Sequence, residues 1–185
     1  KGGNQMSTKN LVYTALMTAI ICILGIVPSV PLPFMPVPIV LQNIGIFLAG
    51  IILGRKLGTT SVIVFLLLVA TGLPVLSGGR GGIGVFAGPS AGFLFLYPVV
   101  AYFIGIIRDA YFHKINFLVI FIATLVIGVL GLDILGTIIM GFIIHIPISK
   151  AFILSFTFMP GDIIKAIIAS LIGAAILNHS RFKLS

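Results

Sequence analysis

Six long apolar runs, separated by short polar or proline-rich stretches, make up most of the chain. They cover about residues 11–27, 39–54, 59–73, 90–107, 115–146 and 160–177. About 20 helical residues cross the roughly 30 Å hydrocarbon core of a bilayer. The pattern therefore predicts an all-α integral membrane protein with six transmembrane helices. The fifth run is too long for one perpendicular crossing, so we expect it to tilt or to protrude from the outer face.

Three connectors between these runs have distinctive compositions. Residues 28–38 include five prolines among eleven positions, which forbids a helix and predicts a stiff, extended loop. Residues 74–89 are rich in glycine, and residues 147–159 lead into the last run. The two other links, RKLG and RDAYFHK, are short and basic. The distinctive connectors alternate with the plain ones and are expected on the outer face, which indicates that something is received there.

The amino-acid composition supports a location in the cell membrane. Apolar residues make up 59% of the chain and charged residues 8%, with a mean hydropathy of +1.31. A soluble domain has about 25% charged residues, so a soluble chain of this length would have too little polar surface to cover its core. We expect one domain, residues 6–185, and an artificial remnant at residues 1–5. The first run is long and lacks the small-residue cleavage site of a signal peptide.

The basic residues predict the orientation of the helices. The net charge is +8, and the basic residues are singles and short clusters between apolar runs. This distribution indicates that they set the orientation of the helices and do not bind nucleic acid. With both termini in the cytoplasm, only Arg80 and Lys150 lie outside, as the positive-inside rule requires. The inner residues would be Lys1, Lys9, Arg55, Lys56, Arg108, Lys114, Arg181 and Lys183.

Two charged residues near the start of the last run are the strongest candidates for a binding site. In PGDIIKA, Asp162 and Lys165 are three residues apart and share one face of a helix. A lone charge at mid-membrane costs about 2.5–3.5 kcal/mol on insertion scales, so such groups pair with each other or line a cavity. The spacing leaves two interpretations open: a local ion pair near the outer interface, or a contact with a ligand.

Other polar and glycine residues are candidates for the same site. Gln42 and Asn43 begin the second run, where an amide either holds helices together or donates into a pocket. Adjacent residues point about 100° apart on a helix, so we expect only one to face a given cavity. Arg80, in SGGRGGIG, is either a solvated loop residue or a cap whose guanidinium pairs with a carboxylate. The adjacent Gly81 and Gly82 allow backbone to approach a ligand closely.

The remaining distinctive residues have other expected uses. Ala15 and Ala19, four residues apart in the first run, form a flat helix face for close packing. Asp133 is an acid without a local partner in the fifth run and faces either the pocket or the outer mouth. Cys22, inside an apolar run, is expected to be a buried packing residue. We find no motif for a metal site, for nucleotide binding or for ATP hydrolysis, and therefore expect no metal, no cofactor and no ATPase activity.

Three segments carry a resemblance to a known family. They are PVPIVLQNIGIFLAGIILG (36–54), GLPVLSGGRGGIGVFAGPSAGFLF (72–95) and PGDIIKA (160–166). The chain resembles BioY, the biotin-specific S-component of energy-coupling factor (ECF) vitamin transporters, over nearly its whole length. It departs from the family pattern GPTGGYL at residues 88–94, where Phe93 lacks the hydroxyl of a tyrosine.

The resemblance implies a six-helix S-component fold with a biotin site near the outer face. Asp162 would accept hydrogen bonds from the ureido N–H groups, and Arg80 and Lys165 would compete for the ligand carboxylate. The implied partners are a transmembrane coupling subunit, docked against Ala15 and Ala19, and two cytoplasmic ATPases that use ATP. The residues and the resemblance together give seven candidate biotin contacts: Asp162, Lys165, Arg80, Asn43, Gln42, Gly81 and Gly82.

Other classes of protein fit the sequence less well. A stand-alone secondary carrier would have polar residues across the membrane midplane and internal repeats, whereas the polar groups here cluster towards one end. An intramembrane enzyme would require a nucleophile with a base, or metal ligands, and no nucleophile accompanies Asp162 and Lys165. An S-component for another small vitamin is the nearest alternative, because the choice of biotin rests on the resemblance.

Overall fold

The computed structural model describes residues 7–34 and 36–180, and the predicted remnant at residues 1–5 lies outside these ranges. Within them the chain is helical and contains no β-strand, as the apolar runs predict. A π-helical segment, Thr124–Gly131, joins the fourth helix to the fifth, so that residues 117–143 form one continuous helix. The helices are α1 (Thr8–Ile26), α2 (Gln42–Ala70), α3 (Ala91–Ala110), α4 (Phe117–Ala123), α5 (Leu132–Ile143), α6 (Ile148–Ser155) and α7 (Met159–Ser180).

Helix α2 contains two of the six predicted crossings. In the described part of the chain, five helices are long and apolar enough to span a membrane, and α2 is one of them. Gly54 interrupts α2 with non-helical backbone, at φ 74° and ψ −175°. Gly58 then lies against the backbone of Ala49, which is possible only if the chain turns back at Gly54. The two arms of α2 are therefore antiparallel, and the described residues contain six apolar helical segments.

Charged side chains at the end of α3 stabilise this turn. Asp109 Oδ2 accepts a hydrogen bond from the backbone N–H of Arg55, at 3.2 Å, and Arg108 Nη2 donates to the carbonyl oxygen of Ile52, at 3.1 Å. Both backbone groups lie at helix ends, where no partner is available within the helix. Arg108 also pairs with Asp109, at 3.0 Å. The end of α3 thus supplies the hydrogen bonds that the two arms lack.

The conformation of Gly54 predicts a specific sensitivity to substitution. A side chain at φ 74° is strained, at about 1–3 kcal/mol, and a Cβ at this position would collide with the carboxylate of Asp109. We expect Gly54→Ala to lower the free energy of unfolding by at least this amount, measured as the thermal midpoint of the detergent-purified protein. Gly84→Ala is the matched control, because a Cβ there has no neighbour within 4 Å among the described residues. Equal midpoints for the two variants would contradict the assigned turn.

Apolar side chains cover both the inside and the outside of the bundle. The packed interior includes Ile21, Phe47, Phe65, Ile104 and Leu132. Large apolar residues also face outwards, and four examples are Leu67, Phe103, Phe142 and Ile164. A soluble monomer rarely exposes apolar patches larger than a few hundred Å², whereas hydrocarbon solvates such a surface. The exterior is therefore suited to lipid.

The connectors at the other end of the bundle are more structured than their compositions predict. The proline-rich connector doubles back on itself, since Val30 and Ile39 exchange two backbone hydrogen bonds of 2.9 and 3.0 Å. The prediction of an extended loop was wrong in this respect, because proline limits helix but does not prevent a reversal. The connector at 147–159 contains the short helix α6, which buries Ala151 and Ser155. Both connectors lie at the same end as the start of α3 and of α7.

Candidate functional site

A cavity lies at this end of the bundle, beneath the proline-rich and glycine-rich connectors. It opens to the exterior and is lined by apolar side chains with several polar groups between them. Small-molecule sites typically combine apolar walls with a few convergent polar groups, so the lining is suited to a small organic ligand. Helices α2, α3, α5 and α7 all contribute to the lining. The principal apolar walls are Val37, Ile39, Leu76, Phe93, Leu94 and Phe158.

Asp162 and Lys165 form a buried ion pair on the wall that α7 provides. The side chains are 2% and 3% exposed, and Lys165 Nζ contacts Asp162 Oδ1. Pro160 is tolerated at the start of α7, because the first N–H groups of a helix have no partner within it. The predicted pairing of these residues on one helix face is therefore present, and both side chains also line the cavity. The ion-pair and ligand-contact interpretations are compatible.

A chain of hydrogen bonds extends from Asp162 across the cavity to α3. Asn43 Nδ2 donates to Asp162 Oδ2 at 2.7 Å, and Tyr97 Oη donates to Asn43 Oδ1 at 3.0 Å. The sequence pattern does not distinguish Tyr97, since a tyrosine in an apolar run is ordinarily a packing residue. A usable signal was its position four residues after Phe93, on the same helix face. The chain of bonds fixes the amide of Asn43 with its oxygen towards α3 and its nitrogen towards α7.

Gln42 lies beside Asn43, and both residues line the same cavity. The expectation that only one of them would face it was wrong, because the cavity lies across the end of the helix and both side chains reach it. The two amides nevertheless have different partners. Gln42 Nε2 donates to the carbonyl oxygens of Ile21 and Val75, at 3.1 and 2.9 Å. It therefore ties the end of α1 to the glycine-rich connector.

A tight turn in the glycine-rich connector places Arg80 at the cavity. Leu76 and Arg80 exchange backbone hydrogen bonds of 3.0 and 3.2 Å, and Gly78 and Gly79 between them have φ of 80° and 68°. The side chain of Arg80 is partly buried and donates to Ser77 O, at 3.1 Å, and to the hydroxyl of Ser90, at 3.3 Å. Arg80 forms no ion pair with a carboxylate of residues 7–34 and 36–180. Its charge is thus held at the cavity by neutral groups.

Gly81 and Gly82 do not line the cavity, in contrast to their predicted role. The N–H of Gly82 donates to the carbonyl oxygen of Val69, at 2.7 Å. Gly81 lies so close to the carbonyl oxygen of Leu73 that a Cβ would collide with it. These glycines allow the connector to pack against the end of α2, and a sequence pattern does not distinguish this close approach from an approach to a ligand.

Two further polar residues of the lining have unpartnered atoms. Ser77 and Asp133 are 2% and 1% exposed, and both line the cavity. Ser77 Oγ and Asp133 Oδ2 have no hydrogen-bond partner within the described residues. The Asp133 carboxyl group lies beside that of Asp162 and near Lys165 on the cavity wall. Asp133 was expected to face either the pocket or the outer mouth, and it lies in the wall of the pocket.

Ala15 and Ala19 lie on the outside of α1, away from the cavity. Both are exposed, whereas Thr14, Thr18 and Ile21, on the side of α1 that faces the bundle, are buried. The hydroxyl of Thr18 donates to a backbone carbonyl of α2, at 3.0 Å, which fixes the inner face of α1 against the bundle. The two alanines therefore do not pack into the interior of the described bundle, and they leave a flat strip on its outer surface.

Comparison with known proteins gives consistent results over the whole chain. The model of the BioY family matches residues 2–182. The biotin transporter BioY of Rhizobium etli is 41% identical over 177 residues, which are 93% of this chain and 95% of that protein. The biotin transporter BioY of Lactococcus lactis subsp. cremoris is 41% identical over 185 residues, which are 98% of this chain and 97% of that protein.

A solved structure resembles the fold equally closely. It is the crystal structure at 2.1 Å of the S-component for biotin from an ECF-type ABC transporter. The TM-score is 0.90 at 40% sequence identity, and the match covers 97% of this chain and 96% of that one. The six-segment arrangement is therefore that of an S-component.

Proposed function

The chain belongs to the BioY family, and from this premise we infer that it is the biotin-binding S-component of an ECF-type transporter. It is a multi-pass protein of the cell membrane and a substrate-binding subunit rather than an enzyme. The observation that carries the proposal is the cavity, in which a buried group of hydrogen-bonding residues adjoins apolar walls. Biotin combines a ureido ring with an apolar thiophane and valerate body.

The polar residues of the cavity match the two ends of biotin. The ureido group has N–H donors and a carbonyl acceptor, and the cluster of Asp162, Lys165 and Asn43 has acceptors and donors within one hydrogen-bonded unit. The carboxylate requires a cation. Lys165 already pairs with Asp162, whereas the side-chain partners of Arg80 among the described residues, Ser77 and Ser90, are neutral. We therefore propose that Arg80, rather than Lys165, pairs with the carboxylate.

The supporting residues of the site have defined places in this proposal. Phe93 and Phe158 pack edge to face, with ring centroids 5.6 Å apart, and form the wall for the thiophane ring. Gln42 supports the connector over the ligand through its bonds to the two carbonyl oxygens. Gly81 and Gly82 contribute indirectly, because they hold the connector that carries Arg80.

The proposed partners are a transmembrane coupling subunit and two cytoplasmic ATPases. The flat strip at Ala15 and Ala19 is the surface that we assign to the coupling subunit, because small residues allow helices to approach closely. ATP would be used by the partners only, and the chain itself would hold no cofactor and no metal. We place both termini in the cytoplasm, since Lys9, Arg55 and Lys56 lie at the end opposite the cavity.

Calorimetric titration of the detergent-purified protein with biotin tests the proposed function. We expect saturable one-to-one binding of biotin and of desthiobiotin, which keeps the ureido ring. Thiamine and riboflavin are the matched controls and should produce no binding heat, because neither combines a cyclic urea with a carboxylate. If a folded sample bound thiamine or riboflavin but not biotin, the assigned ligand would be wrong, and the assignment of the S-component fold would still stand.

A further inference from the structure

Asp133 differs from the other charged residues of the cavity in its hydrogen bonding. Both oxygens of Asp162 already accept hydrogen bonds, from Asn43 and from Lys165. Oδ2 of Asp133, which is equally buried, has no partner within the described residues. A buried polar atom without a hydrogen bond is costly, and at membrane depth such groups mark functional positions. The cavity therefore contains a carboxyl oxygen that no group of the described residues satisfies.

The helix that carries Asp133 is built to bring it to the cavity. The π-helical segment Thr124–Gly131 ends two residues before it. The wider turn of a π-helix changes the face that the following residues present, and such segments occur frequently at functional sites. The face presented by α5 buries Asp133, Gly136 and Thr137.

Close approach between α5 and α3 completes this placement. A Cβ on Gly92 would lie 2.8 Å from the carbonyl oxygen of Gly136, and a Cβ on Gly136 would lie 2.6 Å from Cδ1 of Phe93. Only glycine at both positions allows the helices to come this close. One turn before Gly136, the same face of α5 carries the carboxyl group of Asp133 into the cavity wall beside Asp162.

We propose that Asp133 Oδ2 accepts a hydrogen bond from an N–H group of the ligand's ureido ring, and that Asp162 is a positioning residue. This inference rests on the proposed function and assigns the ureido N–H contact to a different carboxyl group from the one predicted on sequence. A carboxyl oxygen accepts hydrogen bonds in its ionised and in its neutral form, so the contact is available in either state. Asp162 holds Asn43 and Lys165, whose remaining N–H groups are donors for the ureido oxygen.

The test compares Asp133→Ala, Asp133→Asn and Thr137→Val in the full chain. Thr137 is the matched control, because its hydroxyl is also buried and unpartnered on the same face of α5 but does not line the cavity. We expect Asp133→Ala to weaken biotin binding about tenfold or more, and Thr137→Val to bind biotin as the native protein does. Asp133→Asn keeps a side-chain oxygen acceptor and should bind within about threefold of the native protein.

Stability without ligand separates a ligand contact from a structural role. The removal of an unpartnered buried atom should leave the thermal midpoint of ligand-free Asp133→Ala unchanged or higher. A lower midpoint, with unchanged affinity in the folded fraction, would mean that Asp133 serves the fold and would overturn the inference. If Asp133→Ala does not fold, the biotin-induced infrared difference spectrum decides. A carboxyl band present in the native protein and absent in Asp133→Asn supports the contact, and an identical spectrum overturns it.

Modified ligands identify the group that Asp133 contacts. Biotin methylated on one ureido nitrogen, tested at each nitrogen in turn, removes one N–H donor. At least one derivative should bind the native protein more weakly, and this loss should be smaller in Asp133→Ala because the acceptor is already absent. Equal losses in both proteins would overturn the inference and leave the proposed function intact. Failure of the native protein to bind biotin would instead overturn the proposed function.

Discussion

Asp162→Asn is expected to weaken biotin binding about a hundredfold or more, equivalent to about 2.7 kcal/mol. The carboxylate holds Lys165 on one oxygen and Asn43 on the other. The asparagine leaves the ammonium of Lys165 without a counter-charge in a buried site, and its single acceptor oxygen cannot hold both Lys165 and Asn43. Removal of one partner of a buried ion pair costs about 3–5 kcal/mol, so the thermal midpoint should fall as well.

A double-mutant cycle isolates the contribution of the ion pair. Lys165→Met should also lose affinity, since it leaves a buried carboxylate without its cation. The double variant should regain stability relative to either single variant, because neither charge is then left unpaired, but it should not regain biotin binding. Asp109→Asn, about 20 Å away at the other end of α3, is the control and should keep native affinity. Binding by Asp162→Asn within threefold of the native protein would contradict the assigned site.

Ala15→Trp and Ala19→Trp are expected to lower ATP-driven uptake at least about fivefold while biotin binding stays intact. Both residues lie on the outer face of α1, away from the cavity. Insertion of a large side chain into a close-packed contact costs about 1–3 kcal/mol, or about fivefold to 150-fold in association. Uptake of labelled biotin by proteoliposomes that contain the coupling subunit and the ATPases measures the effect, and calorimetry of the isolated subunit measures binding.

A tryptophan elsewhere on the lipid-facing surface controls for bulk. Phe142→Trp on α5 is suitable, because Phe142 is apolar and 62% exposed in the native protein. Helix α5 packs on α3 and α6, whereas α1 packs on α2. This variant should transport biotin at the native rate. If Phe142→Trp loses uptake and the alanine variants keep it, the docking surface lies on the α5 side and the assignment to α1 is wrong.

Much of the fold could be predicted from the apolar runs, because membrane helices must satisfy their backbone groups internally and expose apolar side chains to lipid. The basic RKLG link predicted the turn between the two arms of α2. The short helix α6 was not visible, since eight residues between two apolar runs carry too weak a pattern. The reversal of the proline-rich connector depends on the pairing of Val30 with Ile39, which composition does not encode.

The part of the site that could be predicted consists of charged residues within an apolar run, because a charge in the membrane is costly. Asp162 and Lys165 stand out in an apolar run, and their spacing gives the pairing directly. Tyr97 was missed because its partner, Asn43, comes from another helix. The placement of Asp133 depends on the π-helical segment, whose extra width per turn has no recognised sequence signal. Gly81 and Gly82 were misassigned because close approach to protein and close approach to a ligand require the same residue.

The packed apolar interior between the cavity and the Arg108–Asp109 pair affects the leakage of ions across the membrane. Phe47, Ile51 and Ile104 fill this layer and are inaccessible to solvent. A proton or a sodium ion that left the cavity inwards would have to give up its hydration in this layer, at a large cost in free energy. The apolar layer therefore opposes the passage of ions between the cavity and the opposite end of the bundle. A cell can accordingly hold idle copies of the subunit in its membrane with little leakage of ions.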